Sequence, residues 1–200
     1  MATVEEAVIA LGAGELVVLP TDTVYGLAAA RYEEPVRRIS RLKQRPETTA
    51  IALVARDVDF LLECIPELRG RDATIARALL PGPYTLVLRN PDRRFHWLTA
   101  KNPHTIGVRV PELHGPGAAM LDEAGAFAAT SANLHGGPDP ATLAEVPAEI
   151  LSGVSAVVDG GELPGTASTV IDFTGSEPRV LREGAAPSTE AIDRVSAALG

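Results

Sequence analysis

The side chains of this sequence that could do chemistry sit at the ends of apolar runs. Residues 16–19 (LVVL) stop at Pro20 and deliver Thr21, Asp22, Thr23, Tyr25 and Gly26 in close succession. Residues 126–130 (AFAAT) run into Ser131 and Asn133 ahead of a Gly-Gly-Pro loop. Thr105 opens one further apolar run and Ser168 lies near the start of another. Four cations accompany these groups: Lys43, Arg45, Arg109 and Arg182. Short strands that end in hydroxyls and a glycine turn are where α/β folds place ligand contacts. The plain alternative is a proline stop and a turn whose hydroxyls satisfy nearby backbone groups. Hydroxyls and cations without a nucleophile–base pair suit a site that binds an anion and works by positioning and charge stabilisation. Phosphoryl and nucleotidyl transfer have that character.

Other chemistries find less support. His96, His104, His114 and His135 lack metal-ligand spacing, so no protein metal site is expected. No GxxxxGK[ST] loop and no GxGxxG after a strand is present. Cys64, in the apolar context FLLECI, reads as core filler. Between residues 31 and 56 there are seven Arg or Lys residues against three Glu, a local excess in a chain of net charge −8. Arg37, Arg41 and Arg45 fall four apart, which aligns them if the helix there persists that far. That excess is either a solvated helix face or an anion site built from a point charge and a fork. Arg109 lies inside an apolar run, where an unpaired charge is expensive. It either faces water or has an anionic partner, and we favour the partner.

These residues must be positioned by an α/β fold. A helix over 3–12 opens on a Thr3/Glu6 capping box and closes at Gly12 and Gly14. Strand 15–19 and the polar turn follow. Helix 33–44 comes next, then strand 50–55, apolar on both faces and so expected centrally in a covered sheet. Helical patterns over 57–63 and 71–80 end at Pro81-Gly82-Pro83. Strand 84–89, a polar loop over 90–103, strand 105–110 and helix 116–124 lead to strand 126–130. A helix near 141–152 and strands 154–158, 167–172 and 178–182 precede a last helix over 188–199, capped by Ser188 or Thr189.

The bulk numbers set the class. Two hundred residues, 46% hydrophobic and 22% charged, suit one domain over 1–200 with a real core. Aromatics are only 4%, so aliphatic residues must fill that core. No apolar run approaches the roughly 18 residues of a membrane span, and no leader pattern opens the chain. A single cysteine excludes an internal disulfide and fits a reducing, cytoplasmic setting. The acidic balance argues against strong non-specific nucleic-acid binding by the whole surface.

Seven segments taken together resemble the YrdC/YciO family: PTDTVYGL (20–27), KQRP (43–46), PGPYTLVL (81–88), TIGVRVP (105–111), SANLHGG (131–137), STVID (168–172) and LREG (181–184). They occur in the family's order across nearly the whole chain. The resemblance implies a twisted mixed sheet flanked by helices, with a concave basic groove. It implies synthesis of threonylcarbamoyl-adenylate from L-threonine, bicarbonate and ATP, with Mg²⁺ and release of pyrophosphate, serving the threonylcarbamoyl modification of adenosine 37 in tRNA. By the same resemblance Lys43 and Arg45 are the catalytic cations at the ATP phosphates. Thr23, Arg109, Ala129 and Ser168 contact threonine, Arg109 through its carboxylate. Thr49, Thr105, Ser131, Asn133 and Arg182 complete the nucleotide site.

Three positions depart from the synthase pattern: Thr49 stands for an Asn, Val54 for a His, and Asp139 for a Ser. Tyr84, the TIGVRVP run and the REG ending are closer to the YciO branch. Two other readings follow. One is a paralogue that binds double-stranded RNA or the ribosome through Arg37, Arg38, Arg41 and Lys43. The other is an acyl-adenylate enzyme with a different substrate.

Overall fold

The computed structural model describes residues 1–99 and 101–200. In chain order the elements are α1 (Val4–Gly12), β1 (Val17–Pro20), β2 (Tyr25–Ala29), α2 (Glu33–Leu42), β3 (Ala52–Ala55), α3 (Val58–Cys64) and α4 (Arg71–Leu79). They continue with β4 (Tyr84–Arg89), β5 (Thr105–Arg109), α5 (Gly115–Ala124), β6 (Ala126–Ser131), α6 (Ala148–Ser152), β7 (Ala156–Val157), β8 (Thr169–Asp172), β9 (Arg179–Arg182) and α7 (Ser188–Leu199). The strands form one mixed sheet in the order β7-β1-β2-β6-β3-β5-β4-β8-β9. Strand β3 is in the middle, as its two-sided apolar run predicts. It pairs parallel with β5 and antiparallel with β6.

The two faces of the sheet are covered unequally, and this creates the site. One face carries α2 on β2, α3 on β3, and α4 on β4 with α7 against α4. Leu27, Leu53, Leu86, Val108 and Ile171 are buried beneath them. The other face carries only α1 and α5, over β7, β1 and β6. There Val17, Leu19, Met120, Leu121 and Phe127 form a smaller core. Among the described residues, no helix lies over the rest of this face across β5, β4 and β8. Period-two burial records the difference: in β4, Tyr84, Leu86 and Leu88 are buried, Thr85 and Val87 half-buried, and Arg89 exposed.

Several local readings are corrected. Strand β2 replaces the end of the expected polar turn, and residues 21–24 are the tip of an antiparallel hairpin. All five β2 residues are buried, so YGLAA shows no alternation, and Gly and Ala have weak strand propensity. Helix α2 ends at Leu42, and Gln44 takes a positive φ of 53°, so Arg45 leaves the row of Arg37 and Arg41. The expected helix over 141–152 splits at Pro147 into a short 3-10 turn and α6. Helix α7 is capped by Glu183, whose carboxylate accepts from the Ser188 N–H (3.3 Å) and hydroxyl. The Thr3/Glu6 capping box on α1 is present. No helix among the described residues is long and apolar enough to cross a membrane.

The close approach of α5 to β1 is a testable part of this packing. A Cβ on Gly117 would lie 2.6 Å from the Pro20 carbonyl oxygen. Overpacking costs about 1–3 kcal/mol, against at most about 1 kcal/mol of helix propensity regained. Gly117→Ala is therefore expected to lower the urea midpoint; an unchanged midpoint would refute the contact.

Candidate active site

A cavity of about 540 Å³ occupies the uncovered part of the sheet face. Its floor is the outward row of the central strands: Thr85 and Val87 on β4, Thr105 and Gly107 on β5, and Val170 on β8. The β1–β2 hairpin tip closes one side. Thr21 behaves as the plain turn reading expects: its hydroxyl donates to Val24 O (2.6 Å) and accepts from the Thr23 and Val24 N–H groups (3.2 Å each). Asp22 and Thr23 instead reach out of the hairpin.

Arg109 is their partner. Its Nη2 donates to Asp22 Oδ1 and to Thr23 Oγ1 (2.9 Å), and Asp22 Oδ2 accepts from the Glu112 N–H (3.2 Å). The two charged side chains are only 12% and 9% exposed. Burial pushes the Arg109 guanidinium down, opposed by the Asp22 charge. Burial likewise pushes the Asp22 carboxyl up, opposed by Arg109. Arg109 thus has an anionic partner within the chain, and its buried Nε has no hydrogen-bond partner among the described residues. Nearby, Ser168 Oγ is 2.8 Å from Thr85 Oγ1. Arg182 clamps Ser168 O through Nη2 (2.8 Å) and Nε (3.1 Å).

The second cationic region lies behind the C-terminal end of β6. Arg45 Nη1 donates to Thr130 Oγ1 (3.3 Å), and Thr130 lines the cavity. Its Nε and Nη2 are buried without a partner, and burial pushes the guanidinium down to about 10. Lys43 is 3% exposed. Its ammonium is hydrogen-bonded to Ser131 O, Asn133 O and Asn133 Oδ1 (2.5, 2.5 and 2.8 Å). Burial, then the Arg45 charge, push Lys43 down to about 7, and Asp139 opposes them.

The cavity therefore gathers Thr23, Thr105, Arg109, Ala129, Ser131, Ser168 and Arg182 in its lining. Lys43, Arg45, Thr49 and Asn133 are not in that lining; Arg45 reaches it through Thr130. Thr49 sits in the turn after Arg45, its N–H on Pro46 O (3.0 Å). Val54 lines the wall, paired with Phe127 and Arg109. The sequence reading missed Asp22 as the Arg109 partner, and also Thr85 and Thr130. The period-two pattern of β4 points to Thr85, but no local signal joins Asp22 to a residue 87 positions away.

The basic groove implied by the resemblance is mixed in charge here. Arg109 faces Asp22, and Arg179 donates to Asp172 (3.0 Å). The arginines of α2 are ion-paired at the surface: Arg37 with Glu33 (2.6 Å), Arg38 with Glu15 (2.8 Å) and Arg41 with Glu34 (3.0 Å). Cys64 is half-buried against the core, and burial pushes its thiol up.

The Asp22–Arg109 pair carries a stability prediction. Removing one partner of a buried pair leaves an uncompensated charge and costs about 3–5 kcal/mol. Asp22→Ala is expected to lose that much by urea denaturation, and Asp22→Ala with Arg109→Met to recover most of it. Equal losses in the single and double variants would contradict the pairing.

The family model Sua5_yciO_yrdC, described as "Telomere recombination", matches residues 9–184. A threonylcarbamoyl-AMP synthase of Pyrococcus abyssi is 34% identical over 185 residues, covering 91% of this chain and 54% of the relative. The Homo sapiens threonylcarbamoyl-AMP synthase is 34% identical over 206 residues, covering 93% and 69%. The chain thus spans about half the length of the archaeal relative. The crystal structure of P. abyssi Sua5 complexed with L-threonine superposes with a TM-score of 0.83 at 33% identity, over 96% of this chain and 56% of that one. E. coli YciO gives 0.82 at 27% identity, over 94% and 92%. On the match over residues 9–184, with the shared sheet and seven ordered segments, the chain belongs to the Sua5/YciO/YrdC family.

Proposed function

We propose that this chain, acting as one domain over 1–200 in the cytoplasm, makes threonylcarbamoyl-AMP from L-threonine, bicarbonate and ATP for tRNA modification. The observation that carries this reading is two buried guanidinium groups with nitrogens that have no partner among the described residues: Arg109 in the cavity lining, and Arg45 behind it on Thr130. The pairings Val54↔Arg109 and Ala52↔Ala129 put Arg109 and Thr130 at levels of β3 about 10 Å apart, at roughly 3.3 Å per residue. One fork suits a carboxylate and the other a phosphate chain, with room between them for the reacting groups.

Arg109 and Thr23 would hold the threonine carboxylate, with Ser168 beside them and Ala129 and Val54 walling the side chain. The adenosine would lie on the flat floor at Thr105 and Gly107 beside Thr49, and Arg182, held on Ser168, would reach the nucleotide from the Arg109 end. Arg45 and Ser131 would take the phosphates, with the Lys43 charge and Asn133 behind them. Bicarbonate takes up a proton and loses water to give carbon dioxide, and the threonine amine adds to its carbon and releases a proton, leaving the N-carboxylate (carbamate). The carbamate oxygen then attacks the α-phosphorus and pyrophosphate leaves. The chain contributes orientation and fixed positive charge, so no general base is needed at phosphorus. Mg²⁺ carried with ATP would supply further charge neutralisation at the phosphates that Arg45 and Ser131 would hold.

Pyrophosphate release from ATP is expected to require both L-threonine and bicarbonate, with threonylcarbamoyl-AMP identified by mass. Release with a different amino acid would assign another substrate; ATP binding without release would overturn the synthase reading. Arg45→Gln is expected to lower kcat/KM by about 10²-fold or more. Arg109→Lys, which keeps the charge and loses the fork, is expected to raise the threonine KM more than the ATP KM.

A further inference from the structure

We propose that Lys43 is a positioning residue that holds the 131–137 loop in shape, and not a direct phosphate ligand. This rests on the reading of the Arg45 end as the phosphate site. An ammonium has three protons to donate. In Lys43 all three are matched by loop oxygens: Ser131 O, Asn133 O and Asn133 Oδ1. The Lys43 carbonyl also accepts from the His135 N–H (3.1 Å), so the residue grips the loop by side chain and backbone.

The loop is organised around that grip. Asn133 Oδ1 accepts from Ser131 Oγ as well (2.7 Å), and Asn133 Nδ2 donates to Gly137 O (2.6 Å). Asn133 is therefore occupied within the loop too. The C=O and N–H of a trans peptide point in opposite directions. Drawing the Ser131 carbonyl toward Lys43 sends the next N–H, that of Ala132, to Tyr25 O (2.8 Å). Arg45, two residues from Lys43, has the complementary character: one N–H on Thr130 Oγ1, two buried nitrogens uncommitted. One cation is spent internally so that the other, and the Ser131 loop, are presented in fixed positions.

The test uses the full chain with Lys43→Gln, Asn133→Ala, their double variant and Arg45→Gln. Amide hydrogen exchange without nucleotide is expected to speed up within 131–137 in the Lys43 and Asn133 variants, and to stay unchanged there in Arg45→Gln. The ATP KM is expected to rise about tenfold in Lys43→Gln, the range of a supporting residue, with the L-threonine KM unmoved. The double variant is expected to be no worse than either single one. Multiplying losses with unchanged loop exchange would make Lys43 a direct ligand and overturn the proposal. Wild-type ¹⁵N NMR of the Lys43 ammonium provides a check independent of variant folding. Its signal is expected to be protected and insensitive to ATP, and an ATP-induced shift would overturn the assignment. If wild-type ATP binding fails, the functional reading falls, while the exchange data still decide the role of Lys43 in the loop.

Discussion

A buried carboxylate–guanidinium pair sets the shape of this site. Asp22 at the hairpin tip and Arg109 on β5 are three strand positions apart across the sheet. Each charge is costly to bury alone, and together, with the Thr23 hydroxyl and the Glu112 N–H, they satisfy one another. The hairpin tip is held over the open sheet face and forms one side of the cavity. The same pair fixes the rotamer of the arginine that a substrate carboxylate would meet, while its Nε remains uncommitted.

The cavity owes its existence to incomplete coverage. Four helices pack on one face of the sheet, and two cover only part of the other. Strands β4 and β5 bury Tyr84, Leu86, Leu88, Ile106 and Val108 on the covered side and turn Thr85, Val87, Thr105, Gly107 and Arg109 to the open side, where β8 adds Val170. The chemistry is thus written into alternate positions of ordinary strands, and the scaffold under it is a packed core.

Much of this was legible in the sequence because it is local. The bounds of β4 follow from its alternation, and the central place of β3 from its two-sided apolar run. Arg109 was legible as a charge in need of a partner. What was hidden depends on distant contacts or single backbone angles. Strand β2 has small residues buried on both faces and no period to read. The direction of Arg45 turns on one left-handed residue, Gln44. The inward commitment of Lys43 depends on the main-chain carbonyls of Ser131 and Asn133, 88 and 90 residues away, and a backbone oxygen leaves no mark in residue type.

The division of charge between exterior and interior has a consequence for selectivity. The chain carries a net charge of −8, and the arginines of α2 are neutralised on its surface by glutamates. The unspent cationic groups are recessed at the cavity. Beyond a Debye length of about 8 Å the exterior field is screened and, where it is felt, repels anions. Inside, a low-dielectric wall lets two guanidinium groups act at short range. Under the proposed reading this distribution would act as a sieve for anions: a free nucleotide would be small enough to leave the repulsive exterior behind, whereas an extended polyanion would meet the acidic surface along its whole length.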